Sequence, residues 1–69
     1  MGRYLLRGFF EAPDVKFSGM VETMVERSEP PTRDEATAVL HPLAEGDVAR
    51  WRGEHYQTRF TSVTIEEQP

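Results

Sequence analysis

The chain has 69 residues, room for one core only, and a chain of that length buries no more than about 60% of the surface its unfolded form exposes. Twelve acidic against eight basic side chains leave a formal charge of -4, which argues against a general nucleic-acid binder, whose affinity rests on neutralising many phosphates. The absence of cysteine excludes disulfides, and two histidines, His41 and His55, do not make a structural zinc site.

Arg3 to Glu11 reads as a strand, rich in aromatic and branched apolar residues and closed by the turn-forming run Ala12-Pro13-Asp14. Leu5 and Phe9 point to one face, Tyr4, Leu6 and Phe10 to the other, so neither face is built for water and the strand is expected at the centre of its sheet.

Val15 to Ser28 carries two competing periodicities. Phe17, Met20, Val21, Met24 and Val25 fit a helical stripe with Asp14 as N-cap. Gly19 is unfavourable inside a helix, however, and Val21, Thr23 and Val25 alternate as a strand would. Placement favours the strand. A hairpin through Ala12 to Asp14, then a helix and a last strand, gives β-β-α-β with the second and third strands flanking the first, whereas the alternative, β-α-α-β, has only two strands.

Thr32 to Leu43 reads as a helix, with Thr32 and Glu35 as a capping box and Asp34 and Glu35 suited to the positive end of the dipole. Its expected buried stripe is Ala36, Val39, Leu40 and Leu43, with Pro42 ending or kinking it at His41, and Gly46 to Gly53 forming a loop or a single turn. Glu54 to Glu67 reads as the final strand. Its phase is broken, since Tyr56, Thr58 and Phe60 share one parity and Val63 and Ile65 the other, which a bulge near Thr61 and Ser62 would reconcile. The polar residues Glu66 to Pro69 are expected as a disordered tail. The fold class expected is α+β: a three-stranded antiparallel or mixed sheet with one helix packed on one face, as one small domain spanning residues 1–69.

No apolar run reaches the length of a membrane span, and Met1 to Phe10 lacks the apolar region and cleavage site of a secretion signal, so a cytoplasmic location with no membrane partner is expected. Seven Arg against the single Lys16, one Ile and no Asn suggest a high-GC genome, an actinobacterium or its phage.

No catalytic constellation stands out. The five glycines form neither a dinucleotide fingerprint nor a phosphate loop, and Ser18, Ser28 and Ser62 lack a nucleophile elbow. No spacing selects His41 and His55 with acids such as Asp34, Asp47 or Glu54, and the plain reading is two surface histidines. The expectation is a non-enzymatic protein with no catalytic residue, cofactor or metal. Glu22, Glu26, Glu29, Asp34 and Glu35 could form a negative docking patch, although a solvated face and a helix N-terminus explain them equally well.

The segment 50–59 is the most unusual. Trp51, Tyr56 and His55 stand among Arg50, Arg52 and Arg59, a mixture found at the centres of protein interfaces and on single-stranded nucleic-acid platforms. The plainer alternative is that Trp51 caps the open end of the core while the arginines pair with nearby acids. A single helix can cover only one face of the sheet, so the two-sided first strand implies an exposed apolar patch, which marks an interface. The function expected is a small interaction or regulatory protein, such as a phage-encoded modulator of a host protein, or a homodimer, acting through Leu5, Phe9 or Phe10 and the residues Arg50, Trp51, Arg52, Tyr56 and Arg59. A small single-stranded nucleic-acid binder using segment 50–59 is the alternative.

Overall fold

A computed structural model describes all residues, Met1–Pro69. The chain is an α+β fold of order β-β-α-β. Strand β1, Gly2–Ala12, leads through a single 3₁₀ turn, Pro13–Val15, into β2, Phe17–Arg27. Helix α1, Arg33–Arg52, follows, and β3, Arg59–Gln68, closes the sheet. The order is β2-β1-β3, with both pairings antiparallel, so β2 and β3 run in the same direction and α1 connects them across β1. The two-sided strand lies at the centre, and within Val15 to Ser28 the residues Phe17–Arg27 form a strand rather than a helix.

The tight turn into β2 needs one residue in the left-handed region. Lys16 takes it, at φ 52° and ψ 41°, with its N–H donating to the Pro13 carbonyl at 3.3 Å. The pairing of β1 with β2 then runs without interruption from Ala12 opposite Phe17 to Gly2 opposite Arg27. The pairing of β1 with β3 shifts register between Phe9 and Phe10, leaving Thr61 as the extra residue of a bulge. The shift brings Phe60, Val63 and Ile65 onto one face, opposite Phe10, Gly8 and Leu6.

That face carries the helix. Tyr4 and Leu6 pack with Ala36 and Leu40; Phe10 and Ala12 pack with Ala44 and Val48. The Phe10 ring stands 6.1 Å from those of both Phe17 and Phe60. Beneath Leu40 of α1, β1 has Gly8: a Cβ there would lie 2.6 Å from Phe60 Cε1 and 3.1 Å from Leu40 Cδ1. Thr32 caps the helix, its hydroxyl accepting from the Glu35 N–H at 3.2 Å while the Glu35 carboxylate accepts from the Thr32 N–H at 2.9 Å. At the other end Gly53, at φ 78°, closes α1 by donating to the Ala49 carbonyl.

Three features differ from the sequence reading. The helix does not stop at Pro42 but continues to Arg52. Proline removes one backbone donor, yet Ala38, whose carbonyl it would have served, is exposed to water, and continuing the helix buries Ala44 and Val48. The buried stripe accordingly steps by four, Ala36, Leu40, Ala44 and Val48, while Val39 and Leu43 stay exposed. Strand β3 starts at Arg59 rather than Glu54, and Glu66–Gln68, expected as a disordered tail, pair with Arg3–Leu5.

Candidate functional site

The helix covers one sheet face, and the other is open. Because directly opposed residues in antiparallel strands share a face, the register assigns Leu5 and Met24, Arg7 and Glu22, and Phe9 and Met20 as successive pairs across the open side of β1 and β2. Phe9, Met20 and Met24 are among the large apolar side chains left exposed, and Leu5 is half-buried beside them. The two apolar pairs are separated by an ion pair, Arg7 Nε donating to Glu22 Oε2 at 2.9 Å.

Along β3 the same face carries Ser62, Thr64 and Glu66 opposite Phe9, Arg7 and Leu5. The hydroxyls of Thr61 and Thr64 donate to the Phe9 and Arg7 carbonyls at 3.2 and 3.5 Å. Glu11 and Arg59, opposite each other at one end, form an ion pair. A shallow depression of about 380 Å³ opens between Phe9, Glu11, Ser18, Met20 and Thr61. The face is thus apolar over β1 and β2, hydroxylated over β3, and its charges are largely matched.

The structure divides the sequence-predicted site residues among three places. Leu5, Phe9 and Arg59 belong to the open face. Phe10 does not: it is only 2% exposed, directed at the helix, and belongs to the core. Arg50, Trp51 and Arg52 form the last turn of α1, on the opposite layer from the open face.

Trp51 is 69% exposed, so it does not cap the core. Arg52 lies over the Phe17 ring, 5.7 Å from its centroid, and Arg50 has no acidic partner. Tyr56 is half-buried, packed against the lower core, and its hydroxyl donates to Glu54 at 3.0 Å, a bond that holds the phenol above its ordinary value of 10.0. Met20 and Met24, which the sequence reading left out of the site, complete the open-face patch; their parity, opposite to that of Val21 and Val25, was the available signal.

The remaining chemistry is sparse. His41 Nδ1 lies 3.4 Å from Glu45 one helical turn on, and no group of three His, Asp or Glu side chains could hold a metal. A polar recess of about 390 Å³ lies between Pro13, Asp14, Gln57, Thr58 and Arg59. The acidic residues separate, Glu22 and Glu26 lying on the open sheet face and Asp34 and Glu35 in the first helical turn. No helix is long and apolar enough to cross a membrane. No family model, curated protein or solved structure matches the chain.

Proposed function

We propose that this chain is a non-enzymatic interaction protein that docks on a protein partner through the open face of its sheet. The observation that supports the reading is the pair of cross-strand contacts Leu5–Met24 and Phe9–Met20, four apolar side chains on the face that the helix leaves bare. Exposed apolar side chains gathered on one face, here two pairs flanking the Arg7–Glu22 ion pair, are how interfaces present themselves on small domains. Methionine suits the task because its unbranched, polarizable side chain adapts to the surface it meets. The matched pairs Arg7–Glu22 and Arg59–Glu11 favour a partner surface of mixed rather than single-signed charge.

Segment 50–59 supports nucleic-acid binding less well. Arg59 is engaged by Glu11 and Arg52 by Phe17, and the chain carries a net charge of -4. Exposed Trp51 and Arg50 serve better as a second protein contact on the helix layer. The seven Arg against one Lys and the lack of Asn support a high-GC bacterial or phage source, and with it the reading of a cytoplasmic modulator of a host protein.

The test is affinity capture from a high-GC bacterial lysate with the wild type and Phe9→Asp side by side, both checked for fold by circular dichroism. A protein retained by the wild type and lost on Phe9→Asp is the expected result. Capture that Phe9→Asp leaves unchanged, or none at all, removes the reading.

A further inference from the structure

We infer that β2 pairs edge to edge with the β2 of a second copy of this chain, joining two three-stranded sheets into one of six strands. The first ground is that β2 is a long edge with little protection, its one unpaired charge being Glu26. It runs for eleven residues beside β1 without bulge or proline, and no element lies on its other side. Its outward N–H and C=O groups have no partner, since every backbone hydrogen bond outside the helix and sheet ladders lies elsewhere and no side chain bonds to the β2 backbone. Proteins that stay monomeric blunt such edges with bulges, prolines or unpaired charges. The other edge is treated in that way: β3 carries the Thr61 bulge and the acids Glu66 and Glu67.

The second ground is that β2 matches itself. A two-fold antiparallel register centred on Glu22 places Met20 opposite the partner copy's Met24, Val21 opposite Thr23, Ser18 opposite Glu26 and Phe17 opposite Arg27. Apolar faces apolar on the open side. The self-opposed Glu22 is neutralised by Arg7, and Arg27 donates to Glu35 at 3.1 Å, so neither brings an uncompensated charge to the seam. Registers centred on Val21 or Thr23 instead set a methionine against Glu22.

The third ground lies on the helix. Glu35, Val39, Leu43 and Asp47 follow each other at intervals of four and form one stripe of α1. Both ends of that stripe meet β2: Glu35 bonds Arg27, and Asp47 Oδ2 lies 3.3 Å from where a Gly19 Cβ would stand. Val39 and Leu43, each 42% exposed, therefore overhang the β2 edge. A two-fold axis through β2 sets both helices on the same side of the sheet, with these apolar residues facing each other across the axis. Stacking two open sheet faces would leave them in water. The edge dimer also lays the two open faces side by side, doubling the platform available to a partner.

Four variants and one exchange measurement separate this from association through the open face. Light scattering across concentration should give about twice the 7.9 kDa of one chain. Phe9→Asp should keep that mass, whereas Leu43→Glu, which opposes two carboxylates across the axis, should raise the dimer dissociation constant about tenfold or more. Glu22→Pro and Thr23→Pro each delete one N–H, one facing β1 and the other the free edge; the variant that folds should be a monomer. Alternate β2 amides should exchange slowly at high concentration and quickly on dilution. A monomer at every concentration overturns the proposal, as does a dimer that Phe9→Asp dissolves, or β2 amides whose exchange ignores concentration.

Discussion

Phe9 and Phe10 are neighbours in β1 with opposite surroundings: Phe9 is 49% exposed on the open face, while Phe10 is 2% exposed beneath the helix with Phe17 and Phe60 around it. Truncating a buried phenylalanine costs about 3–5 kcal/mol. A core of this size supplies about the same amount. Phe10→Ala should therefore abolish the cooperative urea transition followed by circular dichroism. Phe9→Asp should keep that transition, with a stability change of about 1 kcal/mol from the altered cross-strand pair with Met20. Equal loss in the two variants would mean that the open face is packed in solution.

Much of this arrangement was legible in the residues, for reasons that also explain what was not. Gly19 among alternating Val21, Thr23 and Val25 pointed to a strand, and the packing shows why a glycine stands there: a Cβ would lie 3.1 Å from Phe10 Cζ. The parity break between Phe60 and Val63 required a bulge, and one lies at Thr61. Which side of β1 the helix takes could not be settled from β1 itself, since both sides are apolar; it follows from the faces that β2 and β3 bring to it. The helix end is not legible in the residues because Pro42 acts locally, whereas the gain from burying Ala44 and Val48 is tertiary. The exposure of Trp51 likewise depends on where α1 ends relative to the sheet, which residue type does not encode.

Gly8 should be as sensitive as a core side chain. The Phe60 ring occupies the space a methyl group would need, and Leu40 closes it from above. Overpacking of this kind costs about 1–3 kcal/mol. Gly8→Ala should lower the urea midpoint by a corresponding amount, and Gly8→Ala combined with Phe60→Leu should recover part of it by making room. Loss of the same size with and without the second change would locate the strain elsewhere.

Pro42 is a stabilising opportunity. It sits inside α1, exposed, and deprives the Ala38 carbonyl of its partner. Relative to alanine, an interior proline costs a helix about 3 kcal/mol, offset by about 0.4–1 kcal/mol through the stiffer unfolded chain. Pro42→Ala should therefore add about 2 kcal/mol, a rise in melting temperature of roughly 10 °C for a chain of this size. No rise, with the helix content unchanged, would mean that the proline is already accommodated without penalty.

Glu35 ties the start of α1 to β2 and gives the fold an acid-sensitive joint. Its carboxylate accepts from the Thr32 N–H and from Arg27, and these bonds, the first more than the second, hold its ionisation below the ordinary value of 4.5. A carboxylate depressed in the folded state binds its proton more tightly when unfolded. Its contribution is complete above the unfolded value and is lost as pH falls through the folded one, so the loss begins near 4.5 and proceeds downward. Gln at this position can still complete the capping box but cannot ionise. Urea midpoints measured from neutral pH to about pH 3 should fall more steeply for the wild type than for Glu35→Gln, because the other carboxylates titrate alike in both. Parallel curves would assign the acid sensitivity to other pairs, with Arg7–Glu22 and Arg59–Glu11 the next to be changed.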